Sequence, residues 1–457
     1  RATLFAASDN QRWVLFTPDG FFDEADLGGQ NLVGFHVNQG PNQQPEWVSF
    51  SQAFKLFHAP DVVKAALSGN NAPAQTALAA IGDLRNRLIH EPEIAVATAC
   101  VQVQTVCTPV PFTQTQAAVL GNNATSLTVT VNVQDRGLGI GALDLFVNGR
   151  NTGRVPPPAL NGGKATEQVT VPLDPGDNDV VLRQYDGDNA IYAESTPLQV
   201  TRATPAQPAR GALYVVAIGI DHFATPAISL DLAVSDATSF SQLVSQAAGP
   251  LYSSTHVTLL TDGQATKAGI LAALSAVAAQ AQPQDTFLFY IASHGGVNST
   301  DNKFLLIPQD IHDLSSWNAI EAQAITEDQL VSALAQIRAR DSLLFIDTCY
   351  SGNFSAASLA NVGQESGRYI ISAASSTQEA LDSYNGHDGL VIYALRQGFE
   401  GAAPHDSQGV IGALSLGEYV SGEISSLASA RGHTQNGSFT AAQAQLNSFP
   451  VGEVPGS

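Results

Sequence analysis

Methionine is missing altogether from this 457-residue chain, the initiator included, which is expected either of a processed fragment or of a sequence whose methionines are not shown. Basic residues are scarce: 20 Lys and Arg stand against 41 Asp and Glu, for a net charge of −21. Phosphate binding needs clustered Lys and Arg, so nucleic acid is not the expected partner, and cationic peptides suit the surface better. Charged residues of either sign make up only 13% of the chain and apolar ones 44%. That balance excludes a disordered polyelectrolyte and argues for globular domains, roughly two to four at this length. No apolar run approaches the roughly 20 residues of a membrane span, and the first residues lack the basic, apolar, small-residue order of a secretory signal. The expectation is no membrane partner and a cytoplasmic protein, with a periplasmic or secreted one as the alternative. Three cysteines are too few for a disulfide framework. Cys100 and Cys107, in ACVQVQTVC, are either two reduced thiols or, in an oxidising compartment, a structural pair. Cys349 has no evident partner.

What is present changes character along the chain. Residues 1–94 form a small module: RWVLF and GFF flank Pro18-Asp19-Gly20 as a hairpin, and residues 60–88 carry Val63, Ala66, Leu78, Ile81, Leu84 and Leu88 at helical spacing. Its aromatics are read as core, with a peptide-docking surface as the alternative. Residues 95–203 alternate apolar and polar in short runs such as SLTVTVNV and ALDLFVNGR, with Asn148-Gly149 as a hairpin turn, which predicts an immunoglobulin-like β-sandwich. The turn Asp174 to Asp179 is rich in carboxylates; its spacing fits no EF-hand, and it is read as solvated. Residues 204–211 are a Pro- and Ala-rich linker. From 212 to 445 strands alternate with helices, the signature of a largely parallel sheet with helices on its faces. Thr326 is expected to cap one helix and Ser415 the last.

Two of those strands end in reactive side chains. In DSLLFIDTCYSG, residues 341–352, an apolar strand ends in a turn carrying Cys349; in DTFLFYIASHGG, residues 285–296, another ends in His294 and two glycines. Ligands of open α/β sheets bind beyond the carboxyl ends of the strands, so a thiol and an imidazole there face a site rather than a core. A thiolate is a nucleophile, and a neighbouring histidine can take its proton and return it to a leaving amine. Gly295 and Gly296 suit a tight bend behind the ring and close approach to a substrate.

SHGG and DTCYSG, with 349 − 294 = 55 residues between histidine and cysteine, resemble the caspase-like cysteine peptidases. They are closer to the metacaspase and bacterial branches than to the animal caspases, whose QACRG-like pattern is absent. YVVAIGIDHF, LAVSDATSF and AASSTQEALDSYNGHDGLVIYAL extend the resemblance over roughly residues 211–439. It implies a caspase-like mostly parallel sheet, Cys349 as nucleophile, His294 as general base and acid, and an oxyanion site from the N–H groups of Gly295 and Cys349. It requires no third catalytic residue and no cofactor or metal; calcium activates part of that family, but no ligand cluster here is specific enough to claim it. It also implies that Asp347 and Asp236, with Asp221 a weaker candidate, line a pocket for a basic P1 side chain, so the substrate is a protein or peptide cut after Arg or Lys. By the same resemblance Ser375 and Ser376 pair with extended substrate backbone. Related enzymes often read Ser-Gly-His-Gly where this chain has Ala292-Ser293-His294-Gly295, so a pocket serine is expected to be missing. The first 60 residues are similar to the segment that follows WD-repeat propellers in bacterial caspase-domain proteins, which places the natural start earlier.

The reading is a cysteine endopeptidase whose N-terminal β modules recruit a partner or substrate, or hold the enzyme inactive. Self-processing is expected in the linker, after Arg202 or Arg210, or after Arg368. The alternatives are a catalytically silent caspase-like scaffold and a non-peptidase hydrolase using the same thiol.

Overall fold

The computed structural model describes residues 1–8, 12–25, 28–103, 106–110, 118–121, 124–203, 210–298, 303–348, 356–373, 384, 386–432, 437–441 and 448–456. The chain divides into two compact units, Arg1–Gln207 and Pro208–Ser457.

In the first unit the expected hairpin pairs Trp13–Phe16 with Phe22–Glu24 across a turn in which the Gly20 N–H donates to the Thr17 carbonyl. The aromatics around it are core: Phe22 stacks on Phe50 at 4.7 Å, and Phe21, Phe54 and Phe57 are buried with them. The helical stretch expected over 60–88 is three helices, Pro60–Leu67, Ala72–Ile81 and Leu84–Ile89. Gly69 and Gly82, at φ 82° and 81°, end the first two, because only glycine enters the left-handed region without strain.

Two sheets follow. One orders the strands Arg150–Val155, Ile140–Val147, Gly176–Asp186, Leu198–Arg202 and Ala118–Leu120; the other orders Lys164–Pro172, Ser126–Gln134, Glu93–Val103 and Val106–Pro109. Alternate residues of both, such as Leu127, Val129 and Val131 from one and Leu143, Leu145 and Leu182 from the other, enter one apolar core. Asn148 and Gly149, at φ 52° and 77°, make the expected hairpin turn. The acidic turn is not wholly solvated: Asp174 is buried and pairs with Arg150 at 3.3 Å, while Asn178 bonds its backbone.

Cys100 and Cys107 are joined as a disulfide across the hairpin Glu93–Val103 and Val106–Pro109, which decides between the two alternatives left open by the sequence. Denatured protein kept from reducing agents is therefore expected to titrate one free thiol, Cys349, and three after reduction. Closing so short a loop stabilises the fold by about 2 kcal/mol, and a Cys100→Ser, Cys107→Ser double variant is expected to lose that much in urea melts.

The second unit is built on a six-stranded sheet. We label its strands β1 (Leu213–Gly219), β2 (Thr255–Thr261), β3 (Thr286–Ser293), β4 (Asp341–Thr348), β5 (Tyr369–Ser372) and β6 (Ser438–Thr440); they lie in the order β2-β1-β3-β4-β5-β6. The first five are parallel and β6 is antiparallel to β5. Helices α1 (Ala233–Ala247), α2 (Lys267–Gln280), α3 (Glu327–Ala335), α4 (Leu390–Gln397) and α5 (Ala413–Ala430) accompany it, with two further helices, Trp317–Gln323 and Ala356–Ser366, that the sequence pattern did not reveal.

Period-2 alternation sends Phe287, Phe289, Ile291, Leu344 and Ile346 to the face covered by α2 and α3, through Leu274, Val277, Leu330 and Leu334. Tyr290 and Phe345 point to the other face, where Phe240 of α1 stacks on Tyr290 at 4.6 Å and meets Phe345 edge-on at 5.1 Å. Thr326 caps α3 in a full capping box with Gln329. Ser415 caps nothing: α5 starts earlier, at Ala413, and the Ser448 hydroxyl accepts from the Leu414 N–H instead. Among the described residues no helix is long and apolar enough to cross a membrane.

Candidate active site

The strand order places a topological switch between β1 and β3, since the chain leaves β1 toward β2 and leaves β3 toward β4. The crevice beyond the carboxyl ends of such strands is where open α/β sheets bind ligands. Asp221 follows β1, His294 follows β3, and Asp347 is the last residue but one of β4. All three sequence candidates thus come from adjacent parallel strands, and Asp236 reaches the same end from the first turn of α1. Ser293 of β3 pairs with Thr348 of β4, so the residues that precede His294 and Cys349 in the chain are partners on neighbouring strands. Cys349 itself, and with it Ser375 and Ser376, lies outside the described residues.

His294 is half-buried, with its ring 5.1 Å from that of Phe223. Its Nε2 lies 2.7 Å from the Ile228 carbonyl oxygen, in the short turn Pro226–Ile228. A carbonyl can only accept, so Nε2 carries the proton and Nδ1 is the nitrogen able to take one. A backbone carbonyl has no side-chain signature, which is why sequence reasoning did not find this orienting group.

The two glycines after His294 do not form a tight bend. They open the strand Gly295–Val297, which pairs with Phe304–Leu306, and neither has positive φ. Crowding is what demands glycine there. A Cβ on Gly295 meets the Thr348 Oγ1 at 2.9 Å, and one on Gly296 meets the Trp317 ring at 3.1 Å. Ser293 donates to the Ile307 carbonyl at 2.8 Å and is buried.

The carboxylates divide by role. Asp221 accepts the Ala233 N–H at 2.7 Å and the Val234 N–H at 3.3 Å, so it caps the start of α1 from a distant segment. Asp236 lies on the buried face of α1 with Ala233, Ala237 and Phe240, at 4% exposure, and accepts the Gly389 N–H at 2.9 Å. Gly389 must be glycine, because a Cβ there collides with the Asp236 carboxylate. Asp347 accepts a hydrogen bond from the Tyr290 hydroxyl at 3.2 Å.

Burial pushes the Asp236 carboxyl up to about 8, helped first by the charge of Asp347 and then by those of Asp388 and Asp221, against the pull of the Gly389 N–H. Burial likewise pushes Asp347 up to about 7, with Tyr290 opposing it. Asp221 is raised by burial, and its two helix amides oppose the rise. Among the described residues no Lys or Arg pairs with Asp236 or Asp347. The charge of Asp347 thus acts on Asp236 as a like charge, which favours the neutral form of Asp236. Among the described residues no group of three or more His, Cys, Asp or Glu has the arrangement of a metal site.

Arg368, expected in an open processing loop, is buried at 2% exposure. Its guanidinium bonds the Leu334 and Ile337 carbonyls at 2.7 and 2.8 Å and contacts the Ser342 hydroxyl. It is a structural arginine and no processing site in the folded protein. Arg202 lies in a strand paired with the Gly176–Asp186 strand, and its Nη1 donates to the Leu173 carbonyl. Arg210 is exposed.

Comparison with known protein families and with curated proteins finds no match. Among solved structures, a Geobacter sulfurreducens protein determined as a structural-genomics target is 17% identical, with a TM-score of 0.35, and covers 53% of this chain and all of its own. A Jonesia denitrificans lytic polysaccharide monooxygenase is 12% identical over 19% of this chain and 58% of its own, with a TM-score of 0.15. A Bacteroides fragilis protein described as a β-galactosidase is 11% identical over 61% of this chain and 40% of its own, with a TM-score of 0.14.

Proposed function

We propose that the chain is a caspase-like cysteine endopeptidase, with an immunoglobulin-like sandwich in front of it, that cleaves protein or peptide substrates after Arg or Lys. The observation that supports this reading is the Ser293–Thr348 pair, which sets the residues before His294 and Cys349 side by side on adjacent strands, with Asp347 next to Thr348 and its charge acting on Asp236. Cys349 attacks the scissile carbonyl as thiolate after giving its proton to His294 Nδ1. The tetrahedral oxyanion takes hydrogen bonds from the N–H groups of Gly295 and Cys349, and His294 then protonates the leaving amine. The Ile228 carbonyl holds the ring in the required tautomer. The basic P1 side chain fills the space between Asp236 and Asp347 as a charge-assisted ion pair.

The disulfide favours an oxidising compartment, periplasmic or extracellular, over the cytoplasm. The N-terminal modules recruit substrate or restrain the enzyme, and exposed Arg210 is the processing site that suits self-cleavage. The test is a panel of fluorogenic peptides differing only at P1, read with and without calcium. Turnover is expected after Arg and Lys, none after Asp, and at least a thousandfold loss in Cys349→Ala and in His294→Ala. Turnover that survives Cys349→Ala, or wild-type protein inert toward every P1, overturns the reading.

A further inference from the structure

The Ile228 carbonyl that meets His294 Nε2 belongs to the loop between β1 and α1, and that loop is fastened at several points. At its base Asp262, just past β2, accepts two backbone N–H groups on one oxygen: Oδ1 lies 2.9 Å from the Asp221 nitrogen and 2.8 Å from that of His222. The Leu230 N–H returns to the Asp221 carbonyl at 2.9 Å, so the loop closes on itself just beyond Ile228. On its flank the Gln309 carbonyl accepts the Ala224 N–H at 2.8 Å, the Gln309 side-chain amide donates to the His222 carbonyl at 3.0 Å, and the Thr225 hydroxyl donates to the Ile311 carbonyl at 3.0 Å. The two fasteners are themselves joined: the Gln309 N–H donates to the Ala265 carbonyl at 3.0 Å, and the Ala265 N–H to the Asp262 carbonyl at 2.7 Å. Phe223, inside the loop, is buried with its ring 5.1 Å from the imidazole.

We propose that Asp262 is a positioning residue for His294: its carboxylate clamps the backbone of residues 221 and 222, and the clamped loop presents the Ile228 carbonyl to the ring. The inference rests on reading His294 as the general base, and it assigns the aim of that base to a side chain in the turn after the edge strand β2.

A loop holds a carbonyl in place only while its own backbone groups are tied. Residues 221 and 222 are where the chain leaves β1, so the Asp262 bonds fix where the loop begins, and the Leu230 bond fixes where it ends. Without the Asp262 oxygen both N–H groups lose that acceptor and the base of the loop is free to shift. The bond from His294 to Ile228 is 2.7 Å long, and a displacement of about 1 Å carries it past the roughly 3.6 Å at which a hydrogen bond no longer exists. The residue type fits the task. Asp262 has a left-handed backbone, φ 42°, which Asp and Asn tolerate best among residues with a side chain, and both carry the accepting oxygen. Glycine supplies the same backbone without the oxygen, so the two roles can be separated.

The test is proton NMR of the full chain carrying nitrogen-15 histidine, at a pH where imidazoles are neutral. The bond to Ile228 slows exchange of the His294 Nε2 proton with water, so this proton gives a low-field signal, assigned by its loss in His294→Gln. The signal is expected in wild type and in Asp262→Asn, and is lost in Asp262→Ala and Asp262→Gly while the rest of the spectrum stays that of folded protein. With a P1 Arg peptide, kcat falls about a hundredfold in the Ala and Gly variants, whereas Asp262→Asn stays within about threefold of wild type. Asp262→Gly, free of backbone strain, decides the matter where Asp262→Ala does not fold. A wild-type spectrum without the signal, a signal kept in the Gly variant, undiminished turnover where the signal is lost, or an Asn variant as deficient as Gly overturns the proposal. The signal is read without turnover, so its outcome is separate from that of the peptide panel: a chain inert toward every P1 ends the peptidase reading and leaves the clamp to the spectrum.

Discussion

Asp236→Asn is expected to lower kcat/KM for peptides with P1 Arg by about a hundredfold, the loss of roughly 3 kcal/mol that follows when one partner of a desolvated charge pair is removed. Peptides without a basic P1 are affected much less. The same variant separates function from stability. Asp236 has its folded pKa raised from 3.8 to about 8, so the native state holds a proton that the unfolded chain has already released between those values. Its contribution to stability is complete below pH 3.8 and is lost as pH rises through about 8. Asn carries no such proton, so thermal melts of Asp236→Asn should fall less steeply than wild type over that window. At pH 9 the variant should be the more stable of the two. A small guanidinium compound such as agmatine favours the ionised carboxyls and should raise the wild-type Tm more at pH 8.5 than at pH 5.5, with proton release on binding at the lower pH. Equal Tm shifts at both pH values would sink the assignment of the pair as a cation site.

Arg368→Ala carries the largest expected loss of stability. The guanidinium bonds the Leu334 carbonyl in the last turn of α3 and the Ile337 carbonyl just past it, and contacts Ser342 at the start of β4. Removing it takes away three buried hydrogen bonds that tie the end of α3 to β4 and leaves a void among buried side chains, which together cost about 3–5 kcal/mol. A lysine restores the charge but not the fork that meets several acceptors at once. Urea melts of Arg368→Ala and Arg368→Lys should both show lowered midpoints, Ala more so. Limited proteolysis with trypsin should spare the 368–369 bond until the second unit unfolds. A wild-type-like midpoint in Arg368→Ala contradicts the structural role.

How far the site could be read from residues alone depended on whether the signal was local. β3 and β4 were legible because an apolar run bounded by turn residues marks a buried strand wherever it lies, and His294 was legible as a group at a strand end. Asp236 carried a local signal too: it takes a place in the buried stripe of α1, between Ala233 and Phe240, where an apolar residue is the rule. Asp388 and Gly389 carried none, since nothing in YNGHDGLVIYALRQ says that the start of that helix meets α1. Arg368 misled for the same reason, because an arginine in a stretch read as a loop after Cys349 looks exposed until α3 and β4 close over it.

Chain order and period were enough to establish an alternating β/α unit behind β-rich modules, because hydrogen-bonded periodicity and turn chemistry act over a few residues. Only the folded arrangement settled that Cys100 bonds Cys107, that the Ile228 carbonyl sets the histidine tautomer, and that the charge of Asp347 reaches Asp236. The last two depend on strand order and register, contacts between residues tens to more than a hundred positions apart, and no local pattern encodes which distant charges must share a low-dielectric space.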